Sequence, residues 1–304
     1  MVIIGPGDDA GVYRYKNNLL VATVDVITPI VDDPYTFGAI CAANSLSDIY
    51  AMGGTPLTAL AILGFASCDF GPAVIKQLLK GAIDKLTEVR VSLIGGHSIE
   101  DNEFKFGFAV TGSVDKNRLL RVSEATSGDV LILTKPIGTG ILTSAVKLNK
   151  TGGKALNKVF ASMLKLNNTS SRAAVQAGSK AATDITGFGL LGHALNMAKS
   201  SGVNLVVFND KVPLMNGVLD FIKAGVVPKG ARKNLDFYSK DITFPNNFSK
   251  EEKLALFDPQ TSGGLLIALP EKGLSRFDRI VKKKRMPYWI IGEVTKGKGK
   301  IIIK

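Results

Sequence analysis

A polar interruption near the middle sets the plan of this chain. From Asp115 to Gly128 large apolar residues are scarce and charged ones frequent, while the segments on either side mix strand-like and helix-like patterns. A chain of 304 residues divided this way reads as two domains, 1–122 and 123–304. Each half holds both element types, which favours two α+β units over one doubly wound sheet.

In the first half, Leu19–Ile27, Leu57–Phe65, Val91–Ile94 and Phe104–Val114 read as strands. Tyr35–Met52 reads as one helix, because Ala39, Ala43, Leu46 and Tyr50 recur on one face and Gly53-Gly54 follows as a stop. Asn44 and Asp48, one turn apart, fall on another face of it. Pro72–Glu88 reads as a second helix with proline in its first turn. In the second half helices are expected at 140–148, 156–166, 170–177 and 190–199, and strands at 130–134, 204–208, 265–269, 288–292 and 300–303. Asp184 falls in a loop ahead of the helix at 190–199.

Composition excludes several classes. Hydrophobic residues make up 45% of the chain, enough to bury a core and to disfavour disorder. No apolar run is long enough to span a bilayer, and residues 1–9 lack the basic flank and apolar stretch of a secretory signal. Cys41 and Cys68 are too few for a disulfide scaffold, so a reducing, cytoplasmic setting is expected. The net charge of +12 is scattered, densest at Lys282-Lys283-Lys284-Arg285, where it reads as a solvated helix end. No zinc-finger spacing or aromatic RNA-binding motif accompanies it, so neither nucleic acid nor membrane is an expected partner. A small polyanion is the more economical use of the charge.

The acidic residues say more than the basic ones. Asp8 and Asp9 follow Gly7, Asp25 closes the first strand between Val24 and Val26, Asp48 lies in Asn44-Ser45-Leu46-Ser47-Asp48, and Asp184 precedes Ile185-Thr186-Gly187-Phe188-Gly189. A carboxylate among apolar neighbours must be neutralised, hydrogen-bonded or bound to a cation. Any one of these aspartates could simply cap a turn. Taken together, with no cysteine or histidine set to compete, they suit Mg²⁺. Mg²⁺-binding carboxylates beside glycine-rich turns suit a nucleoside triphosphate, although the chain has neither a P-loop nor a kinase catalytic loop. Gly95-Gly96-His97-Ser98 reads as a loop whose histidine either touches phosphate or is satisfied locally. His193, on an apolar helix, reads as structural; Cys41 reads as a small buried residue and Cys68 as an unactivated loop thiol.

Longer motifs sharpen this picture. They are Gly7-Asp8-Asp9-Ala10-Gly11-Val12-Tyr13, Thr28-Pro29-Ile30-Val31-Asp32-Asp33-Pro34, the stretch from Asn44 to Gly54, Gly95-Gly96-His97-Ser98, the stretch from Thr183 to His193, and Asp258-Pro259-Gln260-Thr261-Ser262-Gly263-Gly264. Spread over almost the whole chain, they resemble the selenophosphate synthetase (selenide, water dikinase) family of the aminoimidazole ribonucleotide synthetase-like superfamily. The Asp-Asp-Ala element is shared with thiamine-monophosphate kinase and a hydrogenase maturation factor; the long helix motif and the Asp-Pro-Gln-Thr-Ser-Gly-Gly motif are more specific. The resemblance implies a two-domain α+β fold and a homodimer whose N-terminal strands form a shared β-barrel. It implies conversion of ATP, selenide and water into selenophosphate, AMP and phosphate. It also implies that Asp9, Asp25, Asp48 and Asp184 hold Mg²⁺ on the triphosphate, with Asp8 adjacent and Asn44, Gly95, Gly96, His97 and Ser98 lining the nucleotide site.

The family carries a glycine-rich segment with a catalytic cysteine or selenocysteine and a nearby lysine ahead of its Asp-Asp motif. Met1 stands only a few residues before Gly7. The expectation is therefore a truncated chain that binds Mg²⁺-ATP but makes little selenophosphate, with no catalytic residue assigned within it. Another small-metabolite kinase of the superfamily would release ADP instead of AMP. A nucleotide-binding module would bind ATP without turnover, and an RNA-binding protein would retain RNA in a salt-sensitive way.

Overall fold

The computed structural model describes residues 1–148 and 154–304, and two sheets carry them. The first holds β1 (Val2–Ile4), β2 (Gly11–Tyr15), β3 (Asn18–Ile27), β4 (Thr55–Phe65), β5 (Ser92–Glu100) and β6 (Lys105–Val114). Their order is β1-β2-β3-β6-β4-β5, antiparallel except for the β4–β5 pair. On one face lie α1 (Pro34–Ser45), α2 (Ser47–Ala51) and α3 (Pro72–Thr87). Phe106, Phe108 and Val110 of β6 are buried beneath them.

Helices α1 and α3 pack backbone to backbone. A Cβ on Gly38 would lie 2.0 Å from the Leu78 carbonyl oxygen, and one on Gly81 would lie 1.9 Å from that of Tyr35. Only glycine permits that approach. The opposite face of the sheet is open. Val24, Ala109, Leu60 and Gly95 align across β3, β6, β4 and β5, and Val24 and Leu60 are exposed.

The second sheet holds β7 (Asp129–Leu133), β8 (Ala181–Asp184), β9 (Val203–Val207), β10 (Ile242–Thr243), β11 (Leu265–Pro270), β12 (Trp289–Lys296) and β13 (Ile301–Ile303), in the order β10-β13-β9-β12-β7-β11-β8. The helices are α4 (Thr139–Lys147), α5 (Lys154–Leu164), α6 (Asn168–Gln176), α7 (Gly189–Ser201), α8 (Val218–Lys223), α9 (Lys229–Tyr238), α10 (Lys250–Leu256) and α11 (Leu274–Lys283). This sheet is covered on both faces. Leu266 and Ala268 of β11 join the core with α7, and Leu265, Ile267 and Leu269 join the core with α6 and α11. That explains why residues 265–269 form an unbroken apolar run instead of an alternating one. Edge strand β8 abuts α2, which brings the two units together.

Three local expectations are corrected. The helix expected over 35–52 is interrupted at Leu46, between α1 and α2. The side chains of Asn44, Ser45 and Ser47 bond to other elements there, and such residues are weak helix formers. Asp184 ends strand β8, paired with Leu265, and is not in a loop. Gly95-Gly96-His97-Ser98 lies within edge strand β5, also not in a loop, because its backbone continues the ladder along Leu60–Leu63.

Gly38→Ala and Gly81→Ala should each destabilise the protein by about 3 kcal/mol, since neither carbonyl can retreat without moving a helix. Gly5→Ala, with nothing within 4 Å of the added carbon, should stay within about 0.5 kcal/mol of the parent. Urea denaturation midpoints compare the three.

Candidate active site

Carboxylates from distant parts of the chain meet in one cavity of about 600 Å³. Asp8, Asp9, Asp25 and Asp48 come from the first unit and Asp184 from the second. Asp9 sits in the turn between β1 and β2, where Thr183 Oγ1 donates to its Oδ1 at 2.7 Å. Asp8 accepts from the backbone N–H of Asp9 at 3.0 Å and of Val122 at 3.3 Å. Asp25 lies near the end of β3 on the helix-facing side, where Asn44 Nδ2 donates to its Oδ2 and Ser45 Oγ donates to its backbone carbonyl. Asp48, on α2, accepts from Thr23 Oγ1 at 2.6 Å. The Ser47 hydroxyl lies beside Asp184 and favours its charged form. Asn167 Nδ2 in turn holds Ser47 Oγ at 2.9 Å and the Gly263 carbonyl at 2.8 Å.

The electrostatics has a centre. Burial pushes Asp9 and Asp48 well above the usual carboxylate range, and the charge of Asp184 is the next cause for both. Asp25 is pushed up to about 6 by burial and then by Asp184, against the hydrogen bond from Asn44. Asp184 itself is raised by burial, offset by Ser47, its own backbone and Lys135. Asp8 is raised by burial and partly restored by its two backbone donors. Carboxylates in this state need a cation to ionise together. One oxygen each of Asp9 and Asp184 is buried without a hydrogen-bond partner. Among the described residues no three acidic, histidine or cysteine side chains close around a single ion position. The unpartnered oxygens of Asp9 and Asp184 are groups that a divalent ion with further oxygen ligands would satisfy.

The second unit builds the far wall. Phe188, Phe237 and Tyr238 stand beside Lys199 and Lys240 there. His193 lines the cavity but faces inward: its Nε2 accepts from the Thr186 N–H at 3.1 Å, and burial pushes it down to about 4. It stays neutral and pins the loop that follows Asp184. The N-terminus of α4 is closed to ligands, because Gln260 Oε1 accepts from Gly138 N and Thr139 N while Asp258 Oδ2 accepts from Gly140 N.

Two groups of expected site residues stand away from the cavity. Asn44 is buried behind Asp25 and orients it. Gly95, Gly96, His97 and Ser98 lie three strands from Asp25, with Gly95 and His97 in register with the open-face residues of β4. Cys41 is buried and its thiol is pushed well up by burial; Cys68 is exposed beside Asp69, whose hydrogen bond raises it. Thr23, Ser47, Asn167, Thr183 and Lys135 are positions that sequence reasoning missed. Lys135 is fully buried, and burial pushes it down to about 7 against the pull of Asp184. Its one sequence signal is a lysine directly after the apolar run Val130–Thr134.

Comparison with known proteins follows the same division. The families described as "AIR synthase related protein, N-terminal domain" and "AIR synthase related protein, C-terminal domain" match residues 7–114 and 126–304. The selenide, water dikinase of Geobacter metallireducens is 45% identical over 88% of this chain and 79% of its own length. That of Carboxydothermus hydrogenoformans is 42% identical over 98% of this chain and 86% of its own. The chain belongs to the selenide, water dikinase family. Solved structures share its fold at lower identity. A thiamine-monophosphate kinase from Stenotrophomonas maltophilia superposes with a TM-score of 0.73 at 19% identity, covering 100% of this chain and 91% of that one. The hydrogenase maturation protein HypE in complex with ATP superposes with a TM-score of 0.68 at 15% identity, covering 93% and 81%. Among the described residues no helix is long and apolar enough to cross a membrane.

A raised carboxylate weakens the folded state above its folded pKa and stops doing so below its unfolded one. For Asp25, at about 6 against 3.8, the penalty is full above pH 6 and amounts to about 3 kcal/mol. The carboxylate contribution to stability in metal-free protein should therefore grow as pH falls from 7 to 5. Mg²⁺ with nucleotide should raise the melting temperature more at pH 7 than at pH 5. Asp184→Asn should raise the metal-free melting temperature at pH 7 and flatten this pH dependence. Thermal melts across pH, with and without Mg²⁺, check all three outcomes.

Proposed function

We propose that this chain makes selenophosphate from ATP, selenide and water, releasing AMP and phosphate. The observation that carries the reading is the meeting of Asp9, Asp25 and Asp48 with Asp184 from the other unit, in one cavity. Mg²⁺ is commonly held by one or two carboxylates plus substrate phosphates, and the unpartnered buried oxygens of Asp9 and Asp184 are open to it. Bound Mg²⁺ would neutralise the charge that builds on the phosphoryl oxygens. Asp9, Asp25, Asp48 and Asp184 are the residues we assign to it, with Asp8 beside them.

Asp184 ties the chemistry to closure of the two units, since the other assigned ligands lie in the first. Residues 1–122 then form the nucleotide- and metal-binding unit and residues 123–304 the unit that completes it. Transfer of the γ-phosphoryl group to selenide leaves ADP, and its β-phosphoryl group passes to water, giving AMP and phosphate. Water must be admitted for the second transfer but not the first, which a site walled from both units favours. A reducing cytoplasm suits selenide and the free thiols of Cys41 and Cys68.

We also propose that the chain works as a homodimer. The open face of the first sheet carries exposed Val24 and Leu60, and β5 leaves an unpaired edge. A second copy packed there would close the sheets into a shared barrel and bury the edge. It would also take Gly95, Gly96, His97 and Ser98 out of solvent, and we assign them to the nucleotide site of the assembled dimer.

Whatever selenophosphate the protein forms from Mg²⁺, ATP and selenide, however small the yield, should be matched in phosphorus NMR by equal amounts of AMP and phosphate. ADP as the final product would instead mark a simple kinase. Asp184→Asn should lower selenide-dependent AMP formation at least a hundredfold. Leu60→Glu, which places a charge on the open face, should shift the protein from dimer to monomer in sedimentation velocity.

A further inference from the structure

Lys135 is a lysine that the proposed chemistry does not use. It follows β7, is 3% exposed, and donates from Nζ to the Ser262 carbonyl at 2.7 Å. The Ser262 N–H donates to Asn44 Oδ1 at 2.7 Å, and Asn44 Nδ2 donates to Asp25 Oδ2. Every donor in this chain of contacts points the same way, from the amine toward the carboxylate. The Ser262 N–H and carbonyl belong to adjacent peptide groups, so the path transmits the position of the Ser262 backbone and not polarisation through one amide. The path starts in the second unit and ends in the first.

The backbone is shaped for it. Ser262 sits in the left-handed region at φ 47°, sparsely populated for a residue with a side chain, and presents its N–H to Asn44 and its carbonyl to Lys135. At Gly264 a Cβ would lie 2.4 Å from Lys135 N and 3.0 Å from Lys135 Cβ, so a side chain there would displace the lysine. The Ser262-Gly263-Gly264 segment thereby acquires a purpose that turn formation alone does not explain.

We propose that Lys135 is a positioning residue that holds the Ser262 backbone, and through it the Asn44 amide, so as to fix the Asp25 carboxylate for the metal–nucleotide complex. The proposal rests on the functional reading above, in which Asp25 binds that metal. It does not depend on the protonation state of Lys135, since Nζ donates as amine or ammonium. A lysine that merely filled space could be replaced by an apolar residue of similar length without functional loss.

The test is a double-mutant cycle on the full chain, with Mn²⁺-ATP affinity measured by electron paramagnetic resonance. Lys135→Met should weaken Mn²⁺-ATP binding about tenfold while leaving the metal-free melting temperature at or above that of the parent. Asn44→Ala should weaken binding at least as much, and the double variant should bind like Asn44→Ala alone. Unchanged binding by Lys135→Met, or fold-losses that multiply in the double variant, would overturn the relay. If Lys135→Met does not fold, Lys135→Gln is read in its place against the same two outcomes. A parent that binds Mn²⁺-ATP yet forms no selenophosphate would overturn the functional reading and leave the relay supported by its cycle. A parent that binds no Mn²⁺-ATP overturns both.

Discussion

Repulsion among buried carboxylates is the constraint around which this molecule is arranged. Asp9, Asp48 and Asp25 each feel the charge of Asp184, and burial makes that charge expensive to keep. Like charges at close range in a low-dielectric cavity drive one another apart unless neighbouring groups hold them. Here three are held by a donor, Thr183 on Asp9, Asn44 on Asp25 and Thr23 on Asp48, while the Ser47 hydroxyl and the Lys135 charge favour the ionised form of Asp184. The folded chain thus carries a strained acidic centre that a divalent cation would relieve.

The same contacts join the two units. Thr183 reaches from β8 to Asp9, Asn167 bridges Ser47 and Gly263, and Asn44 meets the Ser262 N–H. These links are polar and buried, so each is costly to leave unpaired and strongly specifies one relative placement. Apolar packing supports them from behind, as where Ala51 and Leu120 of the first half enter the core formed by α6 and β11. The acidic site and the interface between the units are one construction.

Much of the skeleton was legible because it rests on local rules. The strand Leu19–Ile27 and the helix from Pro72 were visible from pattern and from proline's preference for a first turn, and both appear as β3 and α3. The interruption at Leu46 was not visible, because the residue pattern of 35–52 satisfies a helix until Asn44, Ser45 and Ser47 find partners elsewhere. Helix α1 is buried on every side from Phe37 to Ser45, so no amphipathic stripe marks its end. The helices α8 and α10 and the strands β1, β8 and β10 were missed for a related reason, too few residues to show a period, and β2, α9 and α11 were missed as well.

The sequence by itself determined that acidic residues stand where the chain is otherwise apolar, and that glycines guard particular turns. Those are properties of residue type and nearest neighbours. Only the tertiary structure decided that Asp9, Asp25, Asp48 and Asp184 share a cavity, that Asn44 and Lys135 stand behind it, and that Gly95–Ser98 lie on an open sheet edge. Positions 44 and 262, or 135 and 262, are joined by long-range hydrogen bonds, and nothing local in a sequence encodes which distant donors will meet.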